Sequence, residues 1–254
     1  MQLCGREIKG LLVDIDGVLY VGNEAIEGAL EAIERLRVPH VYLTNTTTRS
    51  VAHLAEKLRG FGFSVEPGQV LSAPMAALDY LRQKGSPPAR LVVSAEVAQD
   101  FVDYPQALEE AQAILVGDIG DAWSWDLLNQ LFGRLVAGAE LIALHKNKFW
   151  QTEAGLCLDI GAFVAGLEYA SGVEATVVGK PSAAFFGAAL NRLKIAPGEA
   201  AMIGDDIDSD VGGAQAQGIL GVLVKTGKYR DAYVKRSSIK PDLILESIAE
   251  LREA

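Results

Sequence analysis

Short aliphatic runs alternate with segments of helical periodicity along nearly all 254 residues, and few folds accept that pattern. "IKGLLVD" predicts a strand and "GALEAIERLR" an amphipathic helix. "HVYLTN" predicts a second strand and "SVAHLAEKLRGFG" a helix closed by glycine. Further on, "EAAMIGD", "ILGVLV" and "PDLILE" predict strands, with "SAAFFGAALNRL" and "SDVGGAQAQG" as helices among them. Such alternation implies βαβ units and a mostly parallel sheet covered on both faces. The expected fold class is α/β, a Rossmann-like doubly wound parallel sheet core with a second α/β unit inserted in it. The core is expected over residues 1–77 and 178–254. The insertion, expected over 78–177, opens with the polar turn "KGSPPAR" and carries all three tryptophans, Trp123, Trp125 and Trp150.

In a sheet of this kind ligands bind outside the carboxyl ends of the strands, and four chemistry-bearing stretches fall there. The first is "DIDG". A strand puts residues i and i+2 on one face, so Asp14 and Asp16 would repel each other unless a cation sits between them. The second is "YLTNTTTRS", where Thr44 and Asn45 end a strand. The third is "VVGKPS", which places Lys180 before Pro181 at a helix start. The fourth is "MIGDDIDSDVGGA", with Asp205 and Asp206 at a strand end and Asp208 and Asp210 close behind. Each stretch alone has an ordinary reading: a turn with solvated acids, a helix cap, a surface lysine, a calcium loop. The last lacks the spacing and terminal glutamate of an EF-hand. Together they supply carboxylates, a lysine and neutral donors at one sheet edge. Carboxylates without His or Cys partners suit a hard cation, Mg²⁺ above all, and a lysine and hydroxyls aimed at the same spot suit a phosphoryl group.

The ordered set "DIDGVLY", "TNT", "GKP" and "GDDIDSD" resembles the four motifs of the haloacid dehalogenase superfamily of phosphatases, and more narrowly its subclass IIA with a type-two cap. The wider wording "VVGKP", "MIGDD", "DVGGAQ" and "LVKTGKYR" is similar to the hydrolase domain-containing protein 2 group and the phospholysine phosphohistidine inorganic pyrophosphate phosphatases. The resemblance implies a Mg²⁺-dependent phosphatase of small phosphorylated metabolites. Asp14 would be the nucleophile, and Asp16 the acid and base. Asp14, Asp205 and the Asp16 carbonyl would hold Mg²⁺. Thr44, the Asn45 backbone and Lys180 would bind phosphate. One of Asp206, Asp208 and Asp210, first of all Asp210, would orient Lys180 or a bound water. The inserted unit would be the cap that sets specificity. A phosphotransferase could use the same core, and a binding or regulatory protein could keep the fold without turnover. Asp16 weighs against the latter.

Within the insertion, "LVGDIGDAW" mimics the fourth motif, and Asp118 and Asp121 are expected to be loop acids. "ALHKNKFW" offers His145, Lys146, Asn147 and Lys148 as a substrate-facing strip or a solvated basic turn. "CLDIG" puts Asp159 and Gly161 at a helix start, without the Pro-Gly-x-Gly character usual in this subclass, so no specificity residue is assigned there. The net charge of −10 and the pI near 4.9 argue against nucleic acid as a partner. No stretch reaches the ~18 apolar residues of a membrane helix, so no membrane is expected. Cys4 and Cys157 lack metal-ligand spacing and suit reduced thiols. Asp14 and Asp16 interrupt the first candidate signal core, and cytoplasm is the expected location. The resemblance implies a small phosphorylated substrate as partner and allows a second copy paired through the cap, with the oligomeric state left open.

Overall fold

The computed structural model describes residues 1–152 and 155–252. In chain order its main elements are β1 (Gly10–Asp14), α1 (Ala29–Arg35), β2 (His40–Thr44), α2 (Val51–Gly60), β3 (Val70–Ser72), α3 (Ala73–Gln83), β4 (Ala89–Val92), β5 (Ala113–Val116), α4 (Trp125–Val136), β6 (Glu140–Ala143), α5 (Gly161–Ser171), β7 (Thr176–Val177), α6 (Ala183–Leu193), β8 (Ala200–Gly204), β9 (Leu220–Val224), α7 (Asp231–Arg236) and β10 (Leu243–Leu245). They form two compact units. One comprises Met1–Thr44, Val51–Leu71 and Lys180–Ala254, and the other Asn45–Ser50 and Ser72–Gly179. The fold is α/β, with parallel sheets flanked by helices, as the alternation implies.

The first unit is built on a six-stranded sheet in the order β10-β9-β8-β1-β2-β3. β8 pairs in parallel with β1 and β9, β1 with β2, and β9 with β10. Every residue of β1, β8 and β9 is buried, which is why these strands read as continuous aliphatic runs rather than alternating ones. Leu11, Val13, Tyr42, Leu58, Ile203 and Val222 are among those that fill its core. Truncating one such leucine or isoleucine to alanine typically costs about 2–5 kcal/mol. The register sets Val13 opposite Ile203 and Asp14 opposite Leu43. Three strands therefore release their chains at one edge, and Asp14, Thr44 and Asp205 emerge there together. α6 starts where the Ser182 side chain accepts the Phe185 N–H at 3.2 Å, and it buries Phe185, Phe186 and Leu190.

The second unit carries a four-stranded sheet in the order β7-β6-β5-β4, with every pairing parallel. Ala77, Leu81, Leu115 and Ile142 pack in one apolar cluster, and Ile114, Leu131, Leu141 and Val164 in another. The longer stretch of this unit runs from Ser72. Position 78 falls inside α3, whose start is fixed by the Ser72 hydroxyl accepting the Met75 N–H. Ala73, Ala77, Leu78 and Leu81 of that helix lie in one apolar cluster with Leu115 and Ile142.

Candidate active site

β1 delivers Asp14 into a buried position. There the Lys180 ammonium donates to Asp14 Oδ1 at 2.5 Å and lies 2.7 Å from Asp210 Oδ1. Asp210 reaches this point because the chain after β8 turns into a wide helical turn, Ile207–Gly212. Its side chain packs over Gly204, where a Cβ would lie 2.3 Å from the Asp210 carboxyl. Asp210 Oδ2 also accepts the Asp206 N–H at 3.1 Å, while its Oδ1 is buried beside the ammonium without a hydrogen bond of its own.

Asp205, buried at the end of β8, divides its oxygens in the same way. Its Oδ2 accepts the Lys228 N–H at 2.7 Å, while its Oδ1 is buried with no hydrogen-bond partner. Leaving a carboxylate oxygen so placed is costly unless something positive meets it. Asp14, Asp205 and Asp210 each bring an oxygen within 4.8 Å of one another. Three buried carboxylates thus converge where Lys180 is the buried ammonium. An all-oxygen donor set of this kind fits a hard divalent ion, and the partnerless Asp205 Oδ1 is the atom that calls for it.

The titration behaviour has the same cause. Burial first, then the charge of Asp210, pushes the Asp14 carboxyl well above the usual range, against the opposing pull of Lys180. Burial pushes Asp205 up to about 6. Burial alone would lower the Lys180 ammonium, but Asp14 and Asp210 outweigh it and hold it up.

Asp16 lies two residues past Asp14, with its side chain exposed. It pairs through its backbone with Tyr20. Burial, and then the charge of Asp16, push the Tyr20 phenol up. Thr44 closes β2 and is buried. Asn45 follows it in the chain and clusters with the second unit. Among the three later acids the geometry singles out Asp210. Asp206 accepts the N–H groups of Asp208 and Ser209, both at 3.0 Å, and so caps its own turn. Asp208 accepts the Tyr233 hydroxyl at 2.5 Å on the surface.

The other acidic and basic stretches are absorbed by the framework of the second unit. Asp118 accepts the Gly120 N–H at 2.8 Å, a loop acid as expected. His145 is buried and takes the Asn147 N–H on Nδ1 at 3.3 Å, with Asp159 Oδ1 3.7 Å from Nε2. Lys146 pairs with Glu168 at 2.8 Å. "HKNK" is thus not a wholly solvated turn, because its histidine is inside. Sequence reasoning missed Tyr20, Thr226, Gly227 and Lys228. Their one signal is "LVKTGKYR" following an aliphatic strand, the same strand-end placement that marks the other four stretches.

A buried ammonium shared by two aspartates thus lies at the carboxyl edge of a parallel sheet, beside a carboxylate oxygen with no hydrogen-bond partner. Residues 11–105 match the family model described as haloacid dehalogenase-like hydrolase, and residues 177–251 the one described as HAD-hydrolase-like. The chain is 41% identical over 250 residues to haloacid dehalogenase-like hydrolase domain-containing protein 2 of Pongo abelii, covering 97% of this chain and 95% of that one. It is 37% identical over 252 residues to phospholysine phosphohistidine inorganic pyrophosphate phosphatase of Bos taurus, covering 96% and 92%. The solved p-nitrophenyl phosphatase from Archaeoglobus fulgidus superposes with a TM-score of 0.88 at 26% identity, covering 96% of this chain and 98% of that one. This chain belongs to the haloacid dehalogenase-like hydrolase family, on its phosphatase branch. Among the described residues, no helix is long and apolar enough to cross a membrane.

Proposed function

We propose that the protein is a Mg²⁺-dependent phosphatase that hydrolyses small phosphorylated metabolites through an aspartyl-phosphate on Asp14. The observation that carries this reading is the Lys180 ammonium held between Asp14 and Asp210 next to the partnerless Asp205 Oδ1. Asp14 attacks phosphorus, a bond forms between its carboxylate oxygen and phosphorus, and the bond to the leaving oxygen breaks. Asp16 gives that oxygen a proton, then takes one from the water that cleaves the acyl phosphate and regenerates Asp14. Lys180 neutralises charge on nucleophile and phosphoryl oxygens, kept in place by Asp210. Thr44 and the Asn45 backbone bind phosphoryl oxygens. Asp14, Asp205 and the Asp16 carbonyl would hold Mg²⁺, which supplies electrostatic stabilisation of the phosphoryl group when bound. Asp210 is assigned to Lys180 because its Oδ1 lies 2.7 Å from the ammonium while its Oδ2 accepts the Asp206 N–H.

The second unit serves as the cap in this reading, and a homodimer formed through it belongs to the same proposal. Trp125 on α4 and Tyr169 on α5, 76% and 93% exposed, support that pairing. Sedimentation equilibrium would show a dimer, and a monomer at all concentrations would sink this part of the reading. The catalytic core of the proposal is tested by hydrolysis of p-nitrophenyl phosphate with and without Mg²⁺, using wild type and Asp14→Asn. Turnover is expected to need Mg²⁺ and to vanish in the variant. Full activity in EDTA, or more than a few per cent of wild-type rate in Asp14→Asn checked for deamidation, would overturn it.

A further inference from the structure

The "KTGK" loop after β9 has no part in the chemistry above, yet it reaches the site. β8 lies between β9 and β1 in the sheet, so the loops that follow those two strands can meet over the residue leaving β8, which is Asp205. They do meet. The Thr226 hydroxyl donates to the Gly17 carbonyl, 209 residues away in sequence, and the Lys228 N–H donates to Asp205 Oδ2 at 2.7 Å. Between these bonds Asp205 Oδ2 is wedged against two glycine α-carbons. A Cβ on Gly17 would lie 1.9 Å from it and a Cβ on Gly227 2.0 Å, and both residues have positive φ, 87° and 59°. No other residue type can stand at either place without pushing the carboxylate away.

We infer that Thr226, Gly227 and Lys228 form a clamp that fixes the rotation of the Asp205 carboxyl, so that Oδ2 is spent on protein and Oδ1 is the oxygen presented to the cation. Thr226 and Gly227 are positioning residues: they act through Asp205 and through Gly17, the residue that follows Asp16. The clamp explains why one oxygen of a buried carboxylate is satisfied and the other has no partner. Groups that hold a metal ligand in this way are typically worth about 10–100-fold in metal affinity.

The inference rests on the metal reading of the site, and the test separates the two. Mn²⁺ is titrated into the full-length protein after EDTA treatment, and binding is read from the loss of the free-ion electron paramagnetic resonance signal. Thr226→Val keeps shape and removes the donor, and is expected to weaken Mn²⁺ binding by roughly tenfold. Thr226→Ser keeps the donor and is expected to restore it. Gly227→Ala should weaken binding at least as much as Thr226→Val. Metal-free melting curves show which variants are folded. A purely structural role would lower the metal-free melting temperature and leave the Mn²⁺ affinity of the folded protein unchanged, and that result in Thr226→Val overturns the clamp. Equal loss in Thr226→Val and Thr226→Ser also overturns it. Absence of Mn²⁺ binding by wild type would overturn the metal reading and the clamp together.

Discussion

Asp14 and Asp16 stand one residue apart and are treated by the fold in opposite ways. Asp14 is buried against Lys180, whereas the Asp16 side chain is exposed and its backbone pairs with Tyr20. Two acids can share a strand end because only one commits its carboxylate to the buried charge cluster. The second is left to deliver a proton to the leaving group in the proposed reaction. An alkyl phosphate has a poor leaving group that needs this proton, so Asp16→Asn is expected to slow it by roughly 10²–10⁴. p-Nitrophenolate leaves without help. For that substrate the first step should suffer less while the second still lacks its base, giving a burst of product and accumulated phosphoenzyme. Rapid-quench kinetics on both substrates decides the matter: equal loss on both without a burst would make Asp16 a structural residue.

At the scale of elements, the carboxyl edge of the six-stranded sheet is where buried charge is concentrated. In the metal-free protein burial lifts Asp205 to about 6 from the usual 3.8. The folded state then holds this proton more tightly than the unfolded chain does. The group's contribution to stability therefore falls as pH rises from about 4 to about 6. A cation must displace the same proton, so cation affinity should strengthen across that window. Asp205→Asn is expected to raise the melting temperature in EDTA more at about pH 7 than at about pH 4.5, and to remove most of the metal response. Asp205→Ala should raise the Mg²⁺ needed for half-maximal activity by roughly tenfold or more. Asp118→Ala, whose partner is the Gly120 N–H in the other unit, should leave it unchanged. Similar shifts at both positions would mean that the wrong acidic loop had been assigned. Glu140 on β6 shows the opposite case: burial raises it, but Lys84 and Tyr80 outweigh that and hold it low. Its contribution is present above the usual carboxylate range and is lost as pH falls through its depressed value.

For the whole molecule, each unit has a sheet and a core of its own, while the carboxylates that could hold a metal belong to the first. Scanning calorimetry is expected to resolve two transitions, with Mg²⁺ moving only one of them upward. A single transition displaced as a whole would show that the units unfold together. The α/β class and the strand ends carrying Asp14, Thr44 and Asp205 were legible in the sequence, because hydrophobic periodicity is a local property that burial imposes on every strand. So was the likeness to phosphatases, since the four stretches come in a fixed order. The packing of α3 with the second unit's core was not legible, because only tertiary contacts join its Ala73, Ala77 and Leu81 to Leu115 and Ile142. Nor was the choice of Asp210 among three neighbouring aspartates, which depends on a lysine 30 residues upstream arriving within 2.7 Å. Nor was the wedge of Asp205 between Gly17 and Gly227, nor the burial of His145. Those are contacts between side chains and loops far apart in sequence. No local pattern encodes them, and the tertiary structure alone decides which oxygen of a carboxylate meets a partner and which is left for an ion.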